Sequence, residues 1–161
     1  MSAVADHRIV RNSTVGTELT EDKAKLLAGK LGVRQLKDGE LLVKEGEADQ
    51  TLFILATGKL AVTSKDAQGV EQAVYTMKEG ECAGTRAFVE QSPRKATLRS
   101  MGDSTVYTLT PADFETLLEE NPRLAFKVMR ALFRVTHANL SRMNQETREL
   151  ANYISKTQGR Y

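Results

Sequence analysis

The chain has 161 residues and a formal net charge of +2, with 40% hydrophobic and 27% charged residues. That is enough for one domain with a real core plus an extension, and too apolar for a disordered chain. The near-balanced charge gives no general pull towards nucleic acid or membrane. One cysteine, Cys82, excludes an internal disulfide and fits a reducing compartment. It reads as a small buried apolar residue rather than a reactive thiol. No apolar run approaches the ~20 residues of a membrane helix, and no secretory h-region is present. A soluble cytoplasmic protein is expected.

Residues 1–18 have weak periodicity and many polar side chains, and read as an N-terminal arm. Arg11-Asn12-Ser13-Thr14 has the look of a short kinase target. Helix signals begin at Thr20, a good cap, followed by Glu21 and Asp22 at the positive end of the helix dipole. Leu26, Leu27 and Ala28 supply the apolar patch, and Gly29 and Gly32 end the helix.

From Val33 to Thr110 the period changes to two. Turns are expected at Lys37–Gly39, Glu45–Glu47, Thr57-Gly58, Asp66–Gly69 and Gly80. Gly102-Asp103 is expected to separate two last strands, Ala96–Met101 and Thr105–Leu109. Short strands with glycines at intervals of about ten residues predict a sandwich or barrel.

Thr110-Pro111 starts another helix with a cap and an N1 proline, and Asn121-Pro122 repeats the device. From Arg123 to about Ser155 there is no Gly or Pro, which predicts one long helix. It carries two stripes. Ala125, Val128, Leu132 and Val135 form one that fades at Asn139. The other keeps a heptad-like spacing through Phe126, Met129, Phe133, Thr136, Leu140, Met143, Thr147, Leu150 and Ile154. A seam that outlasts the domain-facing stripe predicts a parallel homodimer, with Phe126, Met129, Phe133, Leu140, Met143, Leu150 and Ile154 at the interface. The arginines of this helix are spread around it, which suits solvation better than nucleic-acid binding.

Chemistry is sparse. Two histidines, His7 and His137, with no clustered carboxylates do not make a usual transition-metal site. There is no Gly-x-Ser-x-Gly elbow and no evident acid–base pair, so an enzyme is not expected. The stretch Gly80–Ser100 is the exception. Gly84 precedes a short helical segment, and Arg94 follows a break at Pro93. A glycine before a helix exposes backbone N–H groups, and a nearby arginine offers paired donors to an anion.

The order of leading helix, glycine-punctuated strands, Gly-to-Pro-Arg insert and two closing helices resembles the cyclic nucleotide-binding domain family. That family includes the regulatory subunits of cyclic AMP-dependent protein kinase and the bacterial catabolite activator. Lys37-Asp38-Gly39-Glu40 with Glu45-Gly46-Glu47 is similar to its opening strand pair. Leu52–Leu55 with Gly58-Lys59-Leu60 looks like its apolar-run-then-Gly hairpin. Ser92-Pro93-Arg94-Lys95-Ala96-Thr97 looks like the end of its phosphate-binding cassette.

The resemblance implies a mainly β fold with helices, a β-roll (a jelly-roll-like double-stranded barrel) flanked by an N-terminal helix and two C-terminal helices. It implies an arm at 1–18, the binding domain at 19–121 and a dimerising helix and tail at 122–161. It implies a ligand, cyclic AMP or cyclic GMP, held by Gly84, Thr85, Arg86, Ala87, Arg94, Lys95 and Ala96, with no other cofactor and no metal. Arg94 takes the place of the arginine that pairs with the cyclic phosphate. Asn139, by position only, is the candidate for a contact to the base.

One departure stands out. The family carries a glutamate after the first cassette glycine, accepting a bond from the ribose 2′-hydroxyl. Here that position is Thr85. Arg86 replaces an apolar residue, and either adds a second positive group at the site or points to water. Lys95 fits neither usual choice after the arginine, so base preference stays open, and a cyclic dinucleotide is a third option. Nothing after the long helix provides room for the activator's helix-turn-helix, so a DNA-binding module is not expected. The expected function is a stand-alone sensor that signals to a protein partner through the long helix. The alternative is a degenerate pocket on a dimeric interaction module.

Overall fold

The computed structural model describes residues 3–158, with side chains described to residue 156; the ends of the expected arm and tail lie outside the described residues. The elements are α1 (His7–Asn12), α2 (Glu21–Ala28), β1 (Gly32–Leu36), β2 (Leu41–Val43), β3 (Leu52–Lys65) and β4 (Glu71–Met77). After them come β5 (Cys82–Ala83), α3 (Thr85–Glu90), β6 (Thr97–Leu109), α4 (Pro111–Glu120) and α5 (Pro122–Gln158).

The expected caps are made. Thr20 accepts from the Lys23 N–H, Thr110 from the Asp113 N–H and Asn121 from the Leu124 N–H. Each bond satisfies an amide that the helix itself leaves without a partner.

The strands form one six-stranded antiparallel sheet with the path β1-β6-β3-β4; β2 also pairs with β6 and β5 with β3. β3 and β6 are its spine, paired from Leu52 opposite Leu109 to Thr63 opposite Thr97. The sheet does not close into a barrel, since the end strands β1 and β4 pair only inward. The two expected breaks are also absent as reversals. Thr57-Gly58 lies inside β3 and Gly102-Asp103 inside β6. Pairing between the two strands continues past both, with register shifts between Leu55 and Thr57 and between Thr57 and Lys59. The shifts bend both strands together, so the sheet curls over a core instead of closing.

Two cores result. Alternate residues of β3 point to opposite faces. Leu52, Ile54 and Ala56 join a cluster with Val10, Leu27, Leu117, Leu124, Ala125, Val128 and Leu132 of the helices. Phe53, Leu55 and Leu60 face the other way, onto Leu36, Val43, Met77, Leu98 and Val106. That is why Leu52–Leu55 reads as a continuous apolar run: both faces are covered. Each such side chain contributes about 1.5–3 kcal/mol on burial.

The N-terminal arm is part of this fold. Asp6 caps α1 by accepting from the Arg8 N–H, and Val10 and Val15 are fully buried. The Asp6 N–H donates to the Tyr107 hydroxyl, and the Thr14 N–H to the Gly80 carbonyl. Ser13 is buried and donates its hydroxyl to the Val10 carbonyl at 2.5 Å, so the kinase-target reading of Arg11–Thr14 fails for lack of access.

α5 runs 37 residues, about 55 Å at 1.5 Å per residue. Its domain-facing stripe is buried through Leu132, and Val135 is half-buried. Glu18 fastens it to the segment before α2, accepting from Arg130 Nη2 at 2.7 Å and Arg134 Nη2 at 2.8 Å. Phe126, Phe133, Leu140, Met143, Leu150 and Ile154 are exposed in the single chain.

Candidate functional site

The chain from β5 to β6 forms a loop-helix-loop held against the middle of the sheet. Gly84 caps α3 in the left-handed region at φ +83°. The first intrahelical bond runs from the Phe88 N–H to the Gly84 carbonyl at 2.9 Å. The N–H groups of Thr85, Arg86 and Ala87 therefore precede the helix's own ladder. Phe88 meets Phe114 of α4 edge-on, with ring centroids 5.4 Å apart, which anchors α3 to the helices.

Arg94 is held on both backbone sides. Its N–H donates to the Glu47 carbonyl at 2.8 Å, and its carbonyl accepts from the Gly46 N–H at 2.9 Å. The side chain is 4% exposed. Nη2 donates to the Thr51 carbonyl and lies 3.5 Å from the Asp49 carboxylate. The guanidinium also sits 4.9 Å from the centroid of the Phe53 ring. Nε and Nη1 are buried and have no hydrogen-bond partner among the described residues.

A cation so placed is costly, because burial removes water from the charged form. Burial accordingly pushes the Arg94 pKa down, and the Asp49 charge opposes it. Burial works to raise the Asp49 carboxyl, but hydrogen bonds from Thr51 and the Arg94 charge together hold it below its ordinary value.

Gly84 is required by this arrangement. A methyl group there would overlap Arg94 Nη1 and lie 3.0 Å from the Thr51 carbonyl oxygen.

Seven of the eight ligand-site residues expected from sequence line one cavity of about 290 Å³: Gly84, Thr85, Arg86, Ala87, Arg94, Lys95 and Ala96. Val43, Val62, Ala83 and Leu98 give it an apolar wall. Three cations and no carboxylate are among its described lining. Arg86 is largely solvated and donates from Nε to Glu90 at 3.0 Å, one turn on. Lys95 is exposed. Thr85 Oγ1 lies 4.0 Å from the Cys82 sulfur. Cys82 is half-buried rather than buried as expected, and packs against the helix-side core, where burial pushes its thiol up.

The eighth residue, Asn139, is exposed on α5 and does not line this cavity within the chain. α5 instead forms a separate groove with α3, where Thr85, Arg86 and Val89 face Met129, Phe133, Thr136 and Leu140.

Sequence reasoning passed over Asp49, Thr51 and Phe53, which position the arginine. One local signal was available. The Asp49 carboxylate accepts from the Thr51 N–H at 2.8 Å, a turn that Asp-x-Thr commonly makes. Its role as the arginine's counter-charge depends on a contact across more than forty residues and leaves no local trace.

The family model "Cyclic nucleotide-binding domain" matches residues 33–121. The chain belongs to the cyclic nucleotide-binding domain family. The match spans the strands, the α3 loop and α4.

Cyclic GMP-dependent protein kinase 2 of Homo sapiens is 32% identical over 90 residues, which are 55% of this chain and 12% of that protein. The cyclic AMP-dependent protein kinase regulatory subunit of Yarrowia lipolytica is 33% identical over 92 residues, 57% of this chain and 24% of that protein. The chain thus spans a quarter or less of these two relatives. A crystal structure of a cyclic nucleotide-binding domain from Methylobacillus flagellatus superposes with a TM-score of 0.81 at 16% identity, covering 91% of this chain and 86% of the other. At that identity the likeness speaks for the fold alone.

Among the described residues no group of three or more His, Cys, Asp or Glu could hold a metal ion. No described helix is long and apolar enough to cross a membrane.

Proposed function

We propose that the chain is a cyclic nucleotide sensor whose ligand, cyclic AMP or cyclic GMP, is held with its phosphate on Arg94. The observation that carries this reading is the pair of unpartnered donors, Nε and Nη1, on a buried guanidinium lining a cavity. A cyclic phosphate is a monoanion with two free oxygens. It matches two adjacent N–H donors and offsets the cost of burying them. The N–H groups of Thr85, Arg86 and Ala87 open the same cavity and assist. The apolar wall of Val43, Val62 and Leu98 suits the ribose and base. The names of the two kinase relatives agree with this ligand class.

Ligand at Arg94 would fix α3, and α3 is tied through the Phe88–Phe114 contact to α4 and thence to α5. Signalling then runs through the long helix, as a homodimer along the exposed seam, to a protein partner in the cytoplasm. A base contact from Asn139 of a second copy fits this assembly.

Thr85 favours a second reading, a pocket weakened in affinity on a dimeric interaction module. A neutral acceptor replaces a carboxylate, and hydrogen bonds to charged groups contribute about 1.5–3 kcal/mol against about 1 for neutral ones. Calorimetry with cyclic AMP and cyclic GMP separates the two. Saturable binding that Arg94→Ala abolishes supports the sensor; no binding at millimolar ligand overturns it.

A further inference from the structure

Arg94 accounts for the phosphate end of the nucleotide cavity and leaves two other cations on its lining without a role. Arg94 is buried, whereas Arg86 and Lys95 are exposed, so the first lies at the floor and the other two stand at the rim. Apart from these and Thr85, the lining side chains are apolar. Arginine and lysine donate hydrogen bonds and accept none. Thr85 Oγ1 is therefore the one side-chain acceptor in the described lining.

Thr85 follows directly on Gly84, which packs against Arg94 Nη1, so its hydroxyl stands towards the floor. The carbonyls of Gly84 and Arg94 already accept from the Phe88 and Gly46 N–H groups. At the rim, Arg86 bonds Glu90 through Nε alone. Among the described residues no ion pair involves Lys95. The side chains at the rim thus offer donors only.

We propose that the cavity selects a nucleotide whose base is a 6-oxopurine, guanine or hypoxanthine, over one whose base is adenine, and that Arg86 and Lys95 determine the choice. The proposal rests on the cyclic nucleotide reading of this cavity. With the phosphate on the floor, the base extends to the rim. Whichever of the two cations its edge meets, it meets a donor. Guanine presents two acceptors side by side, N7 and O6, whereas adenine presents N7 beside an N6 amine that donates. The oxo group gains a charge-assisted bond from guanidinium or ammonium. The amine brings a donor against a cation and gains nothing. Water still reaches the amine at an open rim, so the preference is of the order of fivefold rather than hundredfold.

The test is calorimetry with cyclic GMP, cyclic IMP (the hypoxanthine nucleotide) and cyclic AMP, on the full chain and on its double variant Arg86→Gln, Lys95→Gln. The wild type should bind cyclic GMP and cyclic IMP at least about fivefold more tightly than cyclic AMP. Glutamine offers both a donor and an acceptor, so the variant should bring the three affinities to within about twofold of one another. Both replaced side chains are exposed, and circular dichroism checks that the fold is kept. Ratios within one protein are compared, so a general loss of attraction for the phosphate cancels. A wild type that binds cyclic AMP as tightly as cyclic GMP, or more tightly, overturns the proposal and leaves the sensor reading standing. So does cyclic IMP that binds as weakly as cyclic AMP, which would place the choice in the 2-amino group of guanine, and so does a preference that the variant keeps. No binding of any of the three at millimolar ligand overturns the sensor reading and this proposal together.

Discussion

Replacing Gly84 by alanine tests the geometry of the arginine directly, and the protein supplies its own control. Gly84 and Gly69 have similar backbone angles, φ +83° and φ +80°. Nothing lies within 4 Å of a Cβ built on Gly69. Gly69→Ala therefore measures left-handed strain alone, about 1–2 kcal/mol. At Gly84 the methyl also overlaps Arg94 Nη1 and comes within 3.2 Å of Cζ and 3.0 Å of the Thr51 carbonyl oxygen. That oxygen belongs to backbone and cannot yield, so the guanidinium must move. Losing its charge-assisted bond to Thr51 costs about 1.5–3 kcal/mol further. Gly84→Ala should thus destabilise by roughly 2.5–5 kcal/mol in urea unfolding, about two and a half times the cost of Gly69→Ala. Any nucleotide affinity should fall at least tenfold in Gly84→Ala and be unchanged in Gly69→Ala. Equal stability losses in the two variants, with binding intact in both, would refute the close packing of Gly84 on Arg94.

Thr85→Glu should tighten cyclic nucleotide binding by several-fold to tens-fold, since a charged acceptor replaces a neutral one; calorimetry reads it directly. A second expectation concerns acid. Hydrogen bonds from Arg130 and then Arg134 lower the Glu18 carboxyl from an ordinary 4.5 to about 2. A depressed folded-state value means the clamp contributes fully above about pH 4.5 and is lost as pH falls towards 2. Glu18→Gln should therefore lower Tm at pH 7 and converge on the wild type at the acid end of that window. Finally, replacing Leu140, Met143 and Leu150 together by polar residues should leave the far-ultraviolet dichroism intact and yield a monomer by light scattering. An unchanged molecular mass would count against the seam.

What was legible in the sequence was mostly local. The caps at Thr20, Thr110 and Asn121 use residues within three positions of the amides they satisfy, and each was visible. The buried stripe of α5 followed from its period. Arg94 was visible as a motif, and six neighbours on the same short stretch came with it to the cavity.

The failures came from contacts distant in sequence. α1 packs because Asp6 reaches Tyr107 and Thr14 reaches Gly80, which no window of a dozen residues contains. Thr57-Gly58 and Gly102-Asp103 have turn composition, but the two stretches lie against each other in paired strands and bend together. The Asp49 and Thr51 anchors lie more than forty residues from the arginine they hold. Arg86 is a different case. Its partner Glu90 lies at i,i+4 on the same short helix, so the pairing is local and legible from spacing alone.

The most direct measurement is a calorimetric titration of the wild type and Arg94→Ala with cyclic AMP and cyclic GMP. If a cyclic phosphate completes the unpartnered Nε and Nη1 donors, the wild type binds at least one of the two with one-to-one stoichiometry. Losing two charge-assisted bonds of about 1.5–3 kcal/mol each should weaken the variant by more than a hundredfold, with its fold intact by circular dichroism. Binding of equal strength in wild type and Arg94→Ala, or none in the wild type at millimolar ligand, would contradict it.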